Sequence, residues 1–322
     1  MKAMVQHVYG SPDVIKLEEI PKPAPGDGDV LVKVHAASAN AGDWRLMRAD
    51  PFIIRPKFGL LKPKYKTLGA DVAGRVEAVG RNVKQFRPGD DVFGNLSESG
   101  FGAFAEYVCV PEDALMVKPR NLSFEEAAAI PAAALTALQG VRDQGRIQPG
   151  QKILINGASG GVGTFAVQIA KSFGTEVTGV CSTRNLDLVR SIGADHVIDY
   201  TKGDFTKSAQ RYDLIVAANG YHPIWDYRRA LRPGGIYVMT GGSLAQALQA
   251  MLLGPWLSMV GGRKMGNSAM KPNQADLAYL KELIEAGKLK PVVDRRYRLT
   301  EVPEAIRYLE EQHARGKVVI TV

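Results

Sequence analysis

A glycine-rich turn carries the most specific chemical signal in the chain. The segment KILINGASGGVGTFAVQIAK, residues 152–171, joins an apolar strand to a helix predicted to begin near Val162. Ala158, Gly160 and Gly163 have the spacing of a dinucleotide-binding fingerprint whose first glycine is replaced by alanine. Glycine at 160 lets the backbone approach a pyrophosphate, and the N–H groups at the start of the helix would face that anion. The segment therefore predicts a dinucleotide site.

The end of the next predicted strand indicates which dinucleotide is bound. The strand EVTGVC is followed by Ser182, Thr183 and Arg184, and the next acid along the chain is Asp187. An NAD site usually places an acid at this strand end to hold the ribose 2′-hydroxyl, whereas hydroxyls and a guanidinium suit a 2′-phosphate. NADPH is therefore the predicted cofactor. The alternative, that Arg184 is a solvated residue at a helix start, stays open.

Composition limits the other classes of function. The chain has 322 residues, 45% hydrophobic and 23% charged, which is enough for two lobes of a globular protein. A net charge of +8 comes without any run of interleaved basic and aromatic residues, so no nucleic-acid partner is expected. Cys109 and Cys181 lie in apolar strand-like runs and are interpreted as buried thiols of a reducing compartment. We therefore expect a cytoplasmic location.

Two further segments leave alternatives open. RADPFIIRPKFGLLKPKYK, residues 48–66, mixes basic and apolar side chains. It is interpreted as a solvated loop, a lid over a cleft, or a peripheral contact with a membrane surface. LAQALQAMLLGPWLSMV, residues 244–260, is too short to span a bilayer and is interpreted as core, dimer interface or lid. Both a monomer and a homodimer are compatible with these patterns.

The organisation of the chain changes along its length. Residues 1 to about 118 read as short alternating strands punctuated by proline and glycine, which is typical of a barrel-like β module. From Asn121 onward, after a capping box formed by Ser123 and Glu126, apolar strands alternate with helices. This alternation predicts a parallel sheet covered by helices. Residues 260–322 are a mixed tail that either completes the sheet or folds back onto the β module.

Several motifs together resemble one protein superfamily. LGADVAGRVEAVG, RPGDDVFG and NGASGGVGTFAVQIAK are similar to the medium-chain dehydrogenase/reductase superfamily over essentially the whole chain. HAASANAGDWRLMRA, GADHVIDY and HARGKVVI resemble its zinc-free quinone oxidoreductase branch, which includes alkenal/enone reductases. The resemblance implies an α/β protein with a GroES-like β-barrel catalytic domain at 1–120 and 260–322. It also implies a Rossmann-type doubly wound parallel sheet domain at 121–259, which binds NADPH.

The opening turn of the β module lacks a metal ligand. Zinc alcohol dehydrogenases of this superfamily carry Gly-His-Glu there, and the histidine binds the metal; this chain has Gly69, Ala70 and Asp71. The cysteine expected at the end of VHAASAN is replaced near Asn40. No histidine forms a ligand-spaced pair with another histidine or a cysteine, and each is expected to be structural or solvated: His7, His35, His196, His222 and His313. No metal site is therefore predicted.

Without a metal, alcohol oxidation is disfavoured, because nothing stabilises the alkoxide. Hydride addition to a conjugated acceptor needs less help, since the charge is delocalised into a carbonyl. The predicted function is zinc-independent, NADPH-dependent hydride transfer to a small-molecule acceptor, a quinone or an α,β-unsaturated carbonyl. The alternatives are an NADPH-binding scaffold or redox sensor with little turnover, and an NAD(P)-dependent alcohol or aldehyde dehydrogenase.

The resemblance also implies site residues. Those expected at the pyrophosphate are Ser159, Gly160, Gly161 and Val162, and those around the 2′-phosphate are Ser182, Arg184 and Tyr200. Residues expected near the nicotinamide half or a phosphate are Asn219, Thr240, Gly241, Gly316 and Lys317. The candidates at the reaction end are Asn40, Asp43, Trp44 and Asp71. Two structural alternatives stay open: Asp43 as the cap of a helix starting at Trp44, and Asp71 as a turn residue.

Overall fold

The structure is a computed structural model that describes residues 1–259, 262–311 and 314–322. Val260 and His313, named above, lie outside the described residues. The chain forms two compact units. The first comprises residues 1–132, 272–285 and 291–322, and the second comprises residues 133–271 and 286–290. The domain limits inferred from sequence, at 120/121 and 259/260, stay a prediction beside this division.

The strands, in chain order, are β1 Lys2–Gln6, β2 Ile15–Glu19, β3 Asp29–Ala39, β4 Asp71–Val79, β5 Asp91–Asn95, β6 Tyr107–Pro111, β7 Leu115–Val117, β8 Lys152–Asn156, β9 Glu176–Cys181, β10 His196–Asp199, β11 Tyr212–Ala217, β12 Leu231–Met239, β13 Lys264–Asn267, β14 Val293–Arg298 and β15 Lys317–Thr321. The α-helices are α1 Ala41–Arg48, α2 Arg55–Phe58, α3 Phe124–Ala128, α4 Pro131–Leu138, α5 Gly161–Ser172, α6 Leu186–Ser191, α7 Ile224–Ala230, α8 Leu244–Leu252, α9 Gly254–Met259, α10 Gln274–Glu285 and α11 Val302–Glu310.

The first unit is built on a sheet around the long strand β3 that is antiparallel except for the parallel pair β14 and β15. In the described part of the chain its strand order is β14-β15-β3-β4-β5-β7, with β6 also paired to β3. Alternate β3 residues Val30, Val32 and Val34 enter the hydrophobic core, as the period of two predicts. The register places Ser38 of β3 opposite Asp71 of β4, and Asp71 opposite Asn95 of β5. Three polar side chains are thereby brought together at one end of the sheet.

The second unit is built on a parallel sheet of order β10-β9-β8-β11-β12-β13 within the described residues. This is the order of a doubly wound dinucleotide-binding fold, with β8 as its first strand. The strand order reverses between β8 and β11, so the loops after their carboxyl ends leave a crevice there. The predicted fold class is confirmed.

The tail divides between the two sheets. β13 completes the parallel sheet of the second unit, whereas β14 and β15 belong to the first unit. β12 begins at Leu231, directly after α7, because Leu231 pairs with Tyr212 before a register shift in the pairing. No helix among the described residues has the length and apolarity to cross a membrane.

Candidate functional site

The turn after β8 is shaped by a glycine that the sequence interpretation missed. Gly157 has φ +82°, and a Cβ there would lie 2.7 Å from the backbone N of Asn219. The tight turn is therefore made at Gly157. The fingerprint assigned this role to the next residue, Ala158. The Asn-Gly dipeptide at 156–157 is a turn signal that would have identified it.

The next two glycines of the turn differ in what surrounds them. A Cβ on Gly163 would lie 2.0 Å from the carbonyl oxygen of Gly157, so α5 can pack on the turn only if residue 163 is glycine. A Cβ on Gly160 would meet nothing nearer than that same oxygen at 3.6 Å, so the space outside Gly160 is open. Gly161 and Val162 lie in the first turn of α5, where N–H groups have no partner within the helix. This open cradle fits a pyrophosphate.

A buried asparagine links the turn to the end of β9. The Nδ2 group of Asn185 donates to the Oγ of Ser159 at 3.0 Å and to the Oγ of Ser182 at 3.1 Å. Its Oδ1 is buried and has no hydrogen-bond partner among the described residues. Sequence reasoning passed over Asn185 because it reads as an ordinary helix-start residue. The structure makes it the residue that holds two predicted cofactor contacts together.

The region after β9 also contains an acid from the neighbouring strand. Parallel pairing sets Asp199 of β10 opposite Cys181 of β9. The Oγ1 of Thr183 donates to Asp199 at 2.5 Å, and this bond, with those from Thr201, holds the pKa of Asp199 below its usual range. An ionised carboxylate therefore lies beside this strand end. Arg184 and Tyr200, the other predicted 2′-phosphate contacts, are both exposed.

The remaining predicted cofactor residues of the second unit meet where the strand order reverses. The backbone N–H of Asn219 donates to the carbonyl of Asn156 at 3.2 Å, and that of Thr240 donates to Ala217 at 2.9 Å. A Cβ on Gly241 would lie 2.4 Å from the carbonyl oxygen of Ala218. Asn219, Thr240 and Gly241 are thus held close to Gly157, at the carboxyl ends of β8, β11 and β12.

The first unit contains a buried polar group that we call the Asp71 cluster: Ser38, Asn40, Asp43, Asp71, Asn95 and Lys317. The Asp71 carboxylate accepts hydrogen bonds from the Ser38 hydroxyl at 2.7 Å, from the Asn40 and Asn95 amides at 2.9 Å each, and from the Ala132 backbone at 2.8 Å. The Lys317 ammonium lies 3.6 Å from it. Asp71 is fully buried and Lys317 is 3% exposed, so this is a desolvated ion pair.

Asn40 and Lys317 are fully engaged within the Asp71 cluster. The Lys317 ammonium donates to Asn40 Oδ1, and Asn40 Nδ2 donates to the Ser38 carbonyl at 3.2 Å as well as to Asp71. Burial lowers the pKa of Lys317, and the two nearby carboxylates act in the opposite direction. The sequence interpretation grouped Lys317 with the cofactor residues. The structure groups it with the reaction-end candidates.

Asp43 is a structural residue of the first turn of α1. The alternative that it caps a helix starting at Trp44 is wrong in the helix start, because α1 begins at Ala41. Asp43 is the third residue of α1 and forms a capping box with Asn40, the residue that precedes the helix. Its carboxylate accepts from the backbone of Asn40 at 2.7 Å and of Gly69 at 3.2 Å, which ties the helix to the turn before β4. Burial raises the pKa of Asp43 to about 7, against the effect of the Asn40 hydrogen bond.

The other predicted residues of the first unit have varied settings. Asp71 is the first residue of β4, so its interpretation as a turn residue is wrong. Trp44 is partly buried against the core, with the Arg45 guanidinium 5.3 Å from its ring centroid. Gly316 has φ +90°, and a Cβ there would lie 2.2 Å from the carbonyl oxygen of Val292. A glycine at 316 is therefore required by backbone packing.

The donor set around the Asp71 cluster does not fit zinc. Among the described residues, no three His, Cys, Asp or Glu side chains are grouped as metal ligands. Ala70, which occupies the position of a ligand histidine in zinc relatives, is buried, and an ammonium supplies the positive charge beside Asp71. Burial also raises the pKa of Cys109 and of Cys181 to about 11, so neither thiol is a ready metal ligand or nucleophile.

Comparisons with known proteins give a consistent result. Residues 26–120 match the family model described as alcohol dehydrogenase GroES-like domain, and residues 192–320 match the one described as zinc-binding dehydrogenase. The chain is 36% identical to the chloroplastic NADPH-dependent alkenal/one oxidoreductase of Arabidopsis thaliana, over 99% of this chain and 79% of that protein.

Two solved structures share the fold over the whole chain. The quinone oxidoreductase of Coxiella burnetii is 31% identical with a TM-score of 0.88, covering 100% of this chain and 99% of that one. A protein described as an NAD-dependent alcohol dehydrogenase is 32% identical with a TM-score of 0.88, covering 100% of both chains.

Proposed function

Because the chain belongs to the medium-chain dehydrogenase/reductase superfamily, in its quinone oxidoreductase branch, we propose that it reduces a quinone or an α,β-unsaturated carbonyl with a hydride from NADPH. The chain is an oxidoreductase that uses a nicotinamide cofactor. The observation that carries the proposal is the turn at 157–163, which is open at Gly160 and lies where the strand order of a parallel sheet reverses.

The bound nicotinamide supplies the hydride, and the residues of the chain bind and orient it. The first N–H groups of α5 would hold the pyrophosphate. Asn185 would orient Ser159 toward the pyrophosphate and Ser182 toward the 2′-phosphate. Asn219, Thr240 and Gly241 would position the half of the cofactor that lies over β11 and β12. These assignments rest on the location of each residue at a strand end.

Preference for NADPH over NADH is a finer part of the proposal. It is supported by Arg184 and by the hydroxyls of Ser182 and Thr183, which suit a 2′-phosphate. Asp199 opposes it, because its ionised carboxylate is hydrogen-bonded to Thr183. Measuring NADPH and NADH Michaelis constants for Arg184→Ala and Asp199→Asn separates the two effects. We expect Arg184→Ala to raise the Michaelis constant for NADPH alone, and Asp199→Asn to lower it.

At the reaction end we assign Asn40, Asp43 and Asp71 as positioning residues. The carboxylates of Asp43 and Asp71 and the amide of Asn40 all have their hydrogen bonds satisfied inside the first unit. None is therefore assigned as an obligatory acid or base. Trp44 is the one reaction-end candidate without a described hydrogen bond from its side chain, and it would offer an aromatic surface to the acceptor.

Independence from zinc is the third part of the proposal. It is supported by Ala70 in place of a histidine and by the Lys317 ammonium beside Asp71. Elemental analysis of active protein should find much less than one zinc per chain. If the protein contained one zinc per chain and turnover required that zinc, the proposed independence from zinc would be contradicted.

Two competing functions have definite tests. A scaffold or redox sensor would bind NADPH with the same turn but would not consume it. An alcohol or aldehyde dehydrogenase, like the alcohol dehydrogenase among the similar solved structures, would oxidise alcohols with NAD(P)⁺. The absorbance of NADPH at about 340 nm, followed with a panel of quinones, enals and enones, distinguishes both from the proposed reductase, with Gly160→Val as the control that cannot bind cofactor. The finer expectations of a cytoplasmic location, of a monomer or homodimer, and of peripheral membrane contact stay predictions.

A further inference from the structure

The loop between α1 and β4 exposes an unusual amount of apolar surface. Phe52 is 66% exposed, Ile53 81%, Leu60 60% and Leu61 89%. Phe52 and Ile53 lie in the 3-10 turn Phe52–Ile54, directly before α2, and Leu60 and Leu61 follow α2. α2 has four residues and is therefore about 6 Å long. The four side chains thus lie within one short stretch of the loop, which we call the apolar tip.

The apolar tip is held in place by the first unit. The hydroxyl of Tyr9 donates to the carbonyls of Phe58 at 2.9 Å and Gly59 at 2.7 Å. The guanidinium of Arg55 lies between two rings, 4.8 Å from the centroid of Tyr9 and 4.6 Å from that of Phe52. Phe58, Tyr65 and Phe101 pack against one another behind it. The loop is therefore held by specific contacts, and the apolar side chains of the tip are exposed on it.

The segment that carries the apolar tip, from Pro51 to Ala70, has charge of a single sign. No acidic residue occurs between Pro51 and Ala70. Four exposed lysines lie in this stretch: Lys57, Lys62, Lys64 and Lys66. In the part of the chain that the structure describes, none of them forms a salt bridge with an acid, whereas Arg48, just before the loop, pairs with Glu310. The segment that carries the apolar tip thus combines exposed apolar side chains with four lysines that have no acidic partner among the described residues.

We propose that the apolar tip docks on the surface of an anionic lipid bilayer. Apolar side chains inserted at the headgroup boundary, with lysines around them, are the combination that such a surface attracts. A protein partner fits less well, because lysine is depleted at protein interfaces. The other exposed apolar surface, on α8 and α9, has no charged residue from Leu244 to Met259 and so lacks this electrostatic complement. Docking goes beyond the proposed reductase activity and does not depend on it.

The test is vesicle co-flotation of the full-length protein. The vesicles are phosphatidylcholine alone or phosphatidylcholine with about one third phosphatidylglycerol, over a series of salt concentrations. We expect binding to the anionic vesicles only, weakening as salt rises. Lys57→Gln/Lys62→Gln/Lys64→Gln should lower the partition coefficient on the order of 100-fold, since each lysine near such a surface contributes about fivefold. Ile53→Ser/Leu61→Ser should lower it about tenfold or more without changing charge.

Two matched controls make the result specific to the apolar tip. Lys84→Gln/Lys207→Gln/Lys288→Gln removes the same charge from exposed positions elsewhere, and Leu252→Ser/Met259→Ser removes exposed apolar groups from α8 and α9. Both should bind vesicles like the unchanged protein. Equal binding to neutral vesicles, an equal loss in either control, or no vesicle binding at all would overturn the proposal. A changed Michaelis constant for a water-soluble acceptor in Ile53→Ser/Leu61→Ser, with unchanged vesicle binding, would establish a lid instead.

Discussion

Replacing Lys317 by methionine should destabilise the first unit strongly. The ammonium lies 3.6 Å from the Asp71 carboxylate, and both side chains are buried. At an effective dielectric constant of about 20, that separation corresponds to about 4–5 kcal/mol. Removing one partner of a buried ion pair costs about 3–5 kcal/mol, since the remaining charge stays buried. We therefore expect Lys317→Met to lower the unfolding free energy of this unit by about 3–5 kcal/mol at pH 8.

A second variant separates the cost of the buried charge from that of a packing defect. The double variant Asp71→Asn/Lys317→Met, which leaves no buried charge from this pair, should recover part of the stability.

Denaturant unfolding followed by tryptophan fluorescence measures this effect. The chain has three tryptophans, of which only Trp44 lies in the first unit. A background of Trp225→Phe/Trp256→Phe, both at partly exposed positions, makes the signal report on that unit. A loss below about 1 kcal/mol, as for a surface salt bridge, would be inconsistent with a desolvated ion pair, and so would a double variant no more stable than Lys317→Met.

Four further outcomes are expected. Gly160→Val should abolish NADPH binding, measured by fluorescence titration, because the added side chain would fill the space that the pyrophosphate needs. The circular dichroism spectrum should stay unchanged, because that side chain would meet no nearby atom of the protein. Arg184→Ala should raise the NADPH Michaelis constant roughly 10- to 100-fold and leave NADH nearly unaffected; equal weakening of both would make Arg184 a solvated residue. Dialysis against a chelator should leave turnover intact. Because the Asp43 pKa is raised to about 7, ionising Asp43 should lower the melting temperature as pH rises from about 4 to 7, and Asp43→Asn should lack this component.

Local sequence patterns predicted the strands, helices and caps whose formation depends on neighbouring residues. The strand at 152–156, the helix after it and the capping box at Ser123 follow from hydrophobic period and capping chemistry, and the structure contains each. The turn before β4 was singled out as small, and its lack of a metal ligand stays a prediction. The alternative that Asp71 is a turn residue is wrong, and nothing local shows that Asp71 is opposite Ser38 and Asn95.

What sequence could not supply was contact between distant segments. Lys317 joins Asn40 and Asp71 only because β15 pairs with β3, which the linear order does not reveal. The sequence did not predict an acid beside the end of β9, because Asp199 lies on the neighbouring strand β10. Gly157 was missed for a different reason, since the fingerprint was aligned on Ala158 instead of on the residue with positive φ.

Deuterium labelling of the cofactor follows the proposed hydride transfer itself. NADPH labelled at the 4R or the 4S position is incubated with an enone and with protein whose zinc content has been measured. We predict that one of the two labels moves to the β-carbon of the product, and that it does so at far less than one zinc per chain. Retention of both labels in the cofactor, or transfer only when stoichiometric zinc is present, would contradict zinc-independent hydride transfer.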